Sequence, residues 1–325
     1  MTQKSNHFDG RRFFTPGAPR LDARFSKLVR FLATRKPERW PTYREEPPGT
    51  RPLARVSEGE LRVTFVNHAT VLLQLDGTNL LTDPIWSERA SPFSFAGPRR
   101  VRPPGIRFEE LPAIDAVLLS HNHYDHLDLP TIARLRAANP ASRIFAGLGL
   151  ARFLDREAIK DVTELDWGES AELAGLQLTA APSQHFSGRG IFDTNRTLWS
   201  AWVIGAAAGR VYFAGDSGYG PHFRRTGDEL GPFRLAILPI GAYAPAWFMG
   251  PVHENPAQAV TAMKDLRARS AIGIHFGTFQ LTDEGISRPV EELEAAIAKE
   301  SPRPDFRVLS FGEGWDVPAG SEPAI

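Results

Sequence analysis

The sequence predicts a mixed α/β fold, and three observations predict it. Strand-like and helix-like segments are interleaved from residue 61 onward, with no solenoid period and no low-complexity tract. Hydrophobic residues make up 42% of the chain and charged residues 23%, globular proportions that exclude wholesale disorder. Several apolar runs end on His or Asp, the place where sheet proteins gather a site. The 325 residues allow one large domain or two ordinary ones. The expected layout is an N-terminal extension over residues 1–60, one globular domain over 61–318, and a chain that frays after Trp315 into a tail over 319–325.

In chain order, Asp22 to Thr34 reads as a short basic amphipathic helix. Phe25, Leu28, Val29 and Leu32 recur at helical spacing, with Arg24, Lys27, Arg30 and Arg35 around them. Such a helix either contacts a membrane interface or packs on the main domain, and packing is the favoured reading. Pro37, Pro41, Pro47, Pro48 and Pro52 then mark an extended connector. Residues 61–84 hold two or three β-rich runs with an Asp-Gly turn at Asp76–Gly77. Residues 86–107 read as a loop rich in Ser, Pro, Gly and Arg, and 113–120 as a buried strand of nearly continuous apolar residues. A helix follows from about Pro130, since Pro is accepted in a first turn. RIFAG, LQLTAAP, LWSAWVI, RVYFAGD, LAILPIG and AIGIHF read as further strands; PAQAVTAMKDLRA and PVEELEAAIAKE read as helices.

Composition narrows the chemistry. With no Cys, the chain cannot build disulfides, thiolate-zinc sites, iron–sulfur clusters or a thiol nucleophile. MTQKSNHFDGRRFF has no apolar run of signal-peptide length, and no run of ~18 apolar residues occurs anywhere, so the expected address is the cytoplasm, with a peripheral membrane contact as an addition. Lys+Arg and Asp+Glu both number 38, which argues against a nucleic-acid glove. The balance is uneven along the chain: residues 1–107 hold 19 basic and 10 acidic side chains, the remainder 19 and 28. The basic front end is expected to face the acidic part of its own fold rather than an anionic partner.

One segment dominates: Ser120-His121-Asn122-His123-Tyr124-Asp125-His126, an H-x-H-x-D-H spacing where the apolar run ends. The i, i+2 spacing puts His121 and His123 on one side of an extended segment. Asp125 and His126 follow the turn and can face a second point, so one loop can serve two metals. His185, Asp216 and His275 each lie at or beside a predicted strand end, completing seven candidate ligands. His68, in Asn67-His68-Ala69-Thr70, reads first as a structural turn residue and second as a support for the ligands. His253 is balanced between structural and functional readings, and His7 and His222 carry no signal. Trp86, Phe93, Phe95, Phe186, Phe192, Trp247, Phe248 and Met249 lie in or beside predicted loops; each taken singly reads as core, and as a group they suit an apolar channel for acyl chains. Arg89, Arg99, Arg100 and Arg102 read either as phosphate or membrane contacts or as a solvated face.

These residues resemble the metallo-β-lactamase superfamily, and within it the group of N-acyl-phosphatidylethanolamine-hydrolysing phospholipases D. The resemblance is carried by NHATVLLQLDGTNLLTDPIWSERASP, LPAIDAVLLSHNHYDHLD, ELDWGE, PSQHFS, LWSAWVI, FAGDSGYGPHF, GPFRLAILPIGAYAPAWFM and IHFGTF, in order over about two thirds of the chain. It implies an α/β fold of αββα sandwich type. It implies one metal held by His121, His123 and His185, a second held by Asp125, His126 and His275, and Asp216 bridging them. Zinc is the implied metal, with Mn2+ or Fe2+ as other divalent choices. Asp83 would support the ligands. Asp125 and Asp216 would be catalytic, and His253 and Tyr243 would line the phospholipid pocket. A homodimer is implied as well. The loop SPFSFAGP departs from the mammalian members, with Ser94 and Phe95 where they carry Gln and Tyr, which bears on headgroup and lipid preference.

The implied reaction is phospholipase D-type hydrolysis of a phosphodiester by a water acidified between two metals, giving an N-acylethanolamine and phosphatidic acid. The alternative is a soluble hydrolase of the same fold acting on a sugar lactone or small phosphodiester. A metal-dependent binding protein without catalysis comes third, because all seven ligands are present. No G-x-S-x-G elbow, P-loop or dinucleotide fingerprint competes.

Overall fold

Three strands open the domain as a meander: β1 (Leu61–Asn67), β2 (Thr70–Leu75) and β3 (Thr78–Thr82). The Asp-Gly turn between β2 and β3 has left-handed backbone at both residues, Asp76 at φ 46° and Gly77 at 74°, as the dipeptide predicts. The computed structural model describes residues 5–18, 25–47, 49–190 and 192–319, without the side chains of residues 25–28 and 32. The chain continues through β4 (Ala116–Leu118), α2 (Leu129–Ala138), β5 (Arg143–Gly147), α3 (Leu150–Arg156) and β6 (Val162–Leu165), preceded near the N-terminus by α1 (Phe25–Thr34). These strands and the last one, β14 (Gly314–Asp316), form a seven-stranded sheet in the order β14-β1-β2-β3-β4-β5-β6.

The second sheet also has seven strands. It contains β7 (Ser170–Leu173), β8 (Leu176–Ala181), β9 (Ala201–Gly205), β10 (Val211–Phe213), β11 (Phe233–Pro239), β12 (Ala268–Ile274) and β13 (Asp305–Arg307), in the order β13-β12-β11-β10-β9-β8-β7. Between its strands lie α4 (His222–Leu230), α5 (Ala246–Met249), α6 (Pro256–Asp265) and α7 (Arg288–Ile297).

Strand alternation decides which sheet face meets which layer. Val71, Leu73, Leu75, Leu80, Ala116 and Leu118 join Leu178, Ala180, Trp202 and Ile204 in the large core between the sheets. Their neighbours Leu72, Leu81, Val117 and Leu119 turn the other way and pack with Ile132 and Leu135 of α2 and Leu150 and Leu154 of α3. On the far side, Val260 and Met263 of α6 and Leu293 and Ile297 of α7 complete the large core. The result is two sheets with helices on both outer faces, the predicted αββα sandwich.

The extension runs along this sandwich. Phe13 N donates to Asn195 O, Thr15 Oγ1 to Ser183 O, Trp40 Nε1 to Glu284 O, and Arg44 N to Val101 O. Arg35 pairs with Asp283, and Glu38 with Arg288. Arg35 of the basic front end thus meets an acidic side chain of the main domain, while the Glu38–Arg288 pair runs in the opposite sense. Packing, the favoured reading for α1, is what the structure shows at Phe31, which stacks on Phe248 at 4.5 Å between ring centroids, and at Arg30, which lies over Trp247. The inward face differs from the expected stripe: Phe31 is buried and Val29 is exposed, because α5 lies beside the Phe31 face.

Three other expectations are corrected. The run 113–120 yields a strand of only three residues, since Asp115 turns its carboxylate to Asn79 N and Ser120 N is taken by the Asp83 carboxylate. The chain does not loosen at Trp315: Val317 is buried and its N–H donates to Leu61 O, while residues 320–325 lie outside the described residues. Arg100 and Arg102 are not a solvated face. Arg100 is buried and donates to Ser87 O and Ile85 O, and Arg102 is buried against Glu46. Among the described residues no helix is long and apolar enough to cross a membrane.

Candidate metal centre

The seven candidate ligands arrive on loops at one edge of the sandwich. His121, His123, Asp125 and His126 follow β4, His185 follows β8, Asp216 follows β10 and His275 follows β12. Asp216 can lie beside β4 because Gly215 precedes it. A Cβ at Gly215 would stand 2.5 Å from Ser120 Cβ, and the glycine sits at φ +60°.

The nitrogens converge. His121 Nε2 lies 2.7 Å from His123 Nδ1, and His185 Nε2 lies 3.3 Å from the same atom. Nitrogens bound to one tetrahedral ion stand about 3.3 Å apart, so this triad has the spacing of a metal half-site. A second group holds Asp125, His126 and His275 with His68. Asp216 reaches both: its Oδ2 is 3.0 Å from His126 Nε2 and 3.7 Å from His185 Nε2, and its Oδ1 is 3.3 Å from His275 Nε2. His126 Nε2, His275 Nε2 and Asp216 Oδ1 are buried without a hydrogen-bond partner in the protein. Buried polar atoms left in this way indicate an ion between them. The donor set of imidazole nitrogen and carboxylate oxygen suits zinc and its divalent neighbours.

Outer partners fix which ring nitrogen faces inward. His126 Nδ1 donates to Asp83 Oδ2 at 2.7 Å, and His185 Nδ1 donates to Val252 O at 2.9 Å. Ser120 Oγ donates to Asp83 Oδ2 and accepts from His121 Nδ1 at 2.9 Å. Each of these leaves Nε2 bare for a ligand bond. Asp83 therefore supports two ligands, His126 directly and His121 through Ser120.

Burial acts on every titrating group, and the neighbours decide the outcome. Burial, with added repulsion from His185, lowers His123 to about 3. Burial lowers His185 to about 4 despite Asp216. His275 is the reverse case: burial opposes its charge, but Asp216 and Asp125 raise it to about 9. His126 is likewise raised well above the usual histidine range by Asp216 and Asp125 against burial. Asp216 stays well below the usual carboxylate range, since His126, His275 and His253 outweigh its burial.

Of the predicted substrate residues, His253 stands at the centre. Its ring is 5.0 Å from that of His185 and 5.4 Å from that of His275, and its Nδ1 has no partner. Tyr243 is not brought there. It is buried, and the charges acting on its hydroxyl are those of Glu292, Glu284 and Arg288, on and beside α7. The reason is local: Glu284 accepts from Ala242 N and Ala244 N and turns this loop toward α7.

Two residues at the centre carry little sequence signal. His68, weighed first as a structural residue, donates Nε2–H to Asp125 Oδ2 at 2.9 Å. Burial and His275 lower it to about 3, so its ring is neutral. Arg189 belongs to no motif that the sequence marks. It stacks over Tyr124 at 3.8 Å and donates to Asn122 O and Leu127 O, pinning the metal loop at both ends. Beside it a cleft of about 710 Å³ opens, lined by Phe93, Tyr124, Leu129, Pro130, Phe153 and Arg189 among others.

Comparison with known proteins gives the family. The model of the beta-lactamase superfamily domain matches residues 78–276. The chain is 42% identical over 274 residues to N-acyl-phosphatidylethanolamine-hydrolyzing phospholipase D 1 of Caenorhabditis elegans, covering 80% of this chain and 77% of that protein. It is 34% identical over 226 residues to the mitochondrial N-acyl-phosphatidylethanolamine-hydrolyzing phospholipase D of Saccharomyces cerevisiae, covering 67% of this chain but 48% of the yeast protein. Among solved structures, the isothiocyanate hydrolase from Delia radicum gut bacteria superposes with a TM-score of 0.64 over 80% of this chain and all of that one, at 19% identity, a likeness of fold alone.

Proposed function

The chain is a hydrolase of the beta-lactamase superfamily, and from that premise we propose that it is a two-metal phosphodiesterase of phospholipase D type, cleaving N-acyl-phosphatidylethanolamine into N-acylethanolamine and phosphatidic acid. The observation that carries the reading is the pairing of two convergent ligand groups with 42% identity to a phospholipase of that specificity over most of the chain. His121, His123 and His185 would hold one zinc ion, Asp125, His126 and His275 the other, with Asp216 between. Bound there, the ions would acidify a water and neutralise phosphoryl charge.

The chain's own residues supply the rest. Asp125, oriented by His68, accepts a hydrogen bond from the attacking water and aims it at phosphorus. One P–O bond forms as the bond to the ethanolamine oxygen breaks, and Asp216 relays the water's proton to the leaving alkoxide. His253, beside Asp216 with a free Nδ1, is placed for a phosphoryl oxygen. The cleft at Tyr124 is within the range of small-molecule sites, roughly 300–1,000 Å³, and its apolar lining suits an acyl chain. Phe95 and Phe192, each 79% exposed, and Trp247 suit a peripheral contact with the membrane that supplies the substrate.

The test is product analysis. Zinc-loaded protein is given N-acyl-phosphatidylethanolamine in mixed micelles, and both products are followed by mass spectrometry beside a chelated control. The expected result is metal-dependent release of both products, with Asp216→Asn at least 100-fold slower. No turnover by protein of confirmed metal content would move the substrate to a small phosphodiester or lactone. Full activity without metal would reject the scheme.

A further inference from the structure

The turn joining β1 to β2 carries an unusual residue for its geometry. His68 sits at φ 46°, in the left-handed region that hairpin turns normally give to Gly, Asn or Asp. Its side chain is buried. A strained non-glycine residue at a buried centre points to a function for that side chain.

His68 touches each of the three residues proposed for the second ion. Its Nε2–H donates to Asp125 Oδ2 at 2.9 Å. Its carbonyl accepts from His275 N at 2.7 Å, which matters because His275 is itself left-handed at φ 64°. Its ring lies 4.0 Å from the ring of His275 and 5.5 Å from that of His126. The turn is anchored in return, with His68 N donating to Thr278 Oγ1 at 3.1 Å. The other triad is held from elsewhere, His121 by Ser120 and His185 by Val252 O.

We propose that His68 is the positioning residue of one half of the centre: its Nε2–H fixes the Asp125 carboxylate so that the Asp125–His126–His275 group binds its ion, while the His121–His123–His185 group does not depend on it. With its Nε2–H given to Asp125, His68 would not serve as a ligand, although it belongs to the same cluster of His and Asp side chains. This inference rests on the two-metal reading above.

The test compares His68→Gln with His68→Met. Both substitutes bring the same left-handed backbone penalty, but only Gln keeps an N–H donor near the position of Nε2. Metal-free wild type and both variants are titrated with Co2+, and uptake is read as equivalents bound and as the visible absorption of each equivalent. Metal-free melting temperatures serve as the packing control. The expected result is two equivalents for wild type and for His68→Gln. His68→Met should bind the first equivalent normally and the second about 10–100-fold more weakly, with a metal-free melting temperature equal to that of His68→Gln. Equal second-equivalent affinity in the Met and Gln variants would overturn the assignment, as would parallel loss of both equivalents in both variants. Wild type that binds fewer than two equivalents would overturn the two-metal reading itself, a result separate from either of these.

Discussion

At the scale of single residues, the same burial leaves the imidazoles of the centre in opposite protonation states. His123 at about 3 and His185 at about 4 are neutral at pH 7, whereas His275 at about 9 is protonated in the metal-free protein and His126 is raised as well. A metal binds only the neutral ring, so an ion that enters a protonated site must displace a proton. The first triad should therefore bind with an affinity nearly flat from pH 6 to 9. Affinity at the Asp125–His126–His275 group should rise across that window, about tenfold per pH unit for each proton displaced. Calorimetric titration in buffers of different ionisation heat reads this directly. Negligible proton release with the first ion and at least one proton with the second are expected, and equal release from both would contradict the assignment.

The candidate ligands could be read from sequence because four of them fall within six residues and the other three lie at or beside strand ends. His68 was legible only as a second reading and Arg189 not at all, since their partners are 57 or more residues away and neither belongs to a periodic pattern. Arginines in a loop of Ser, Pro and Gly look solvated, yet Arg100 is folded inward onto carbonyls. Arg100→Ala strands those acceptors and should cost about 3 kcal/mol in urea unfolding. Arg99→Ala, at an exposed pair with Glu88, should stay within about 0.5 kcal/mol. Equal effects at the two positions would show that the burial of Arg100 is unimportant.

At the scale of elements, the well-buried strands rich in apolar and β-branched residues were legible, including the three-residue β4 and β10. The partly buried ones were not. β6, β7, β13 and β14 hold three or four residues each and are only partly buried, so they lack both the length and the alternation that mark a strand. α4 gives little helical signal because its sequence, HFRRTGDEL, is polar and holds a glycine. That glycine lets α4 approach the end of α6 closely: a Cβ at Gly227 would stand 2.1 Å from Asp265 O. α1 was legible as an amphipathic helix, but the face it buries was set by its neighbour α5. Phe31→Ala should weaken that docking by about 3 kcal/mol. Limited proteolysis should then cut within Phe25–Thr34 faster while the sandwich keeps its melting temperature. Unchanged cleavage would mean that the stack of Phe31 on Phe248 does not hold the helix.

For the whole molecule, the layered fold and the centre have a common cause. Two sheets pack their inner faces on one core, and the loops at one edge then hold residues from distant parts of the chain within a few ångströms. The charge asymmetry has the same explanation, since Arg35, Arg55 and Arg62 of the basic front end pair with Asp283, Asp115 and Asp316. On the proposed reading this edge holds two ions, one in each ligand group. The most direct measurement is anomalous X-ray diffraction at the zinc absorption edge from crystals of the zinc-loaded protein. Two peaks are expected about 3.5–4 Å apart, one against His121, His123 and His185 and the other against Asp125, His126 and His275, with Asp216 between them. A single peak, or peaks away from these residues, would contradict that reading.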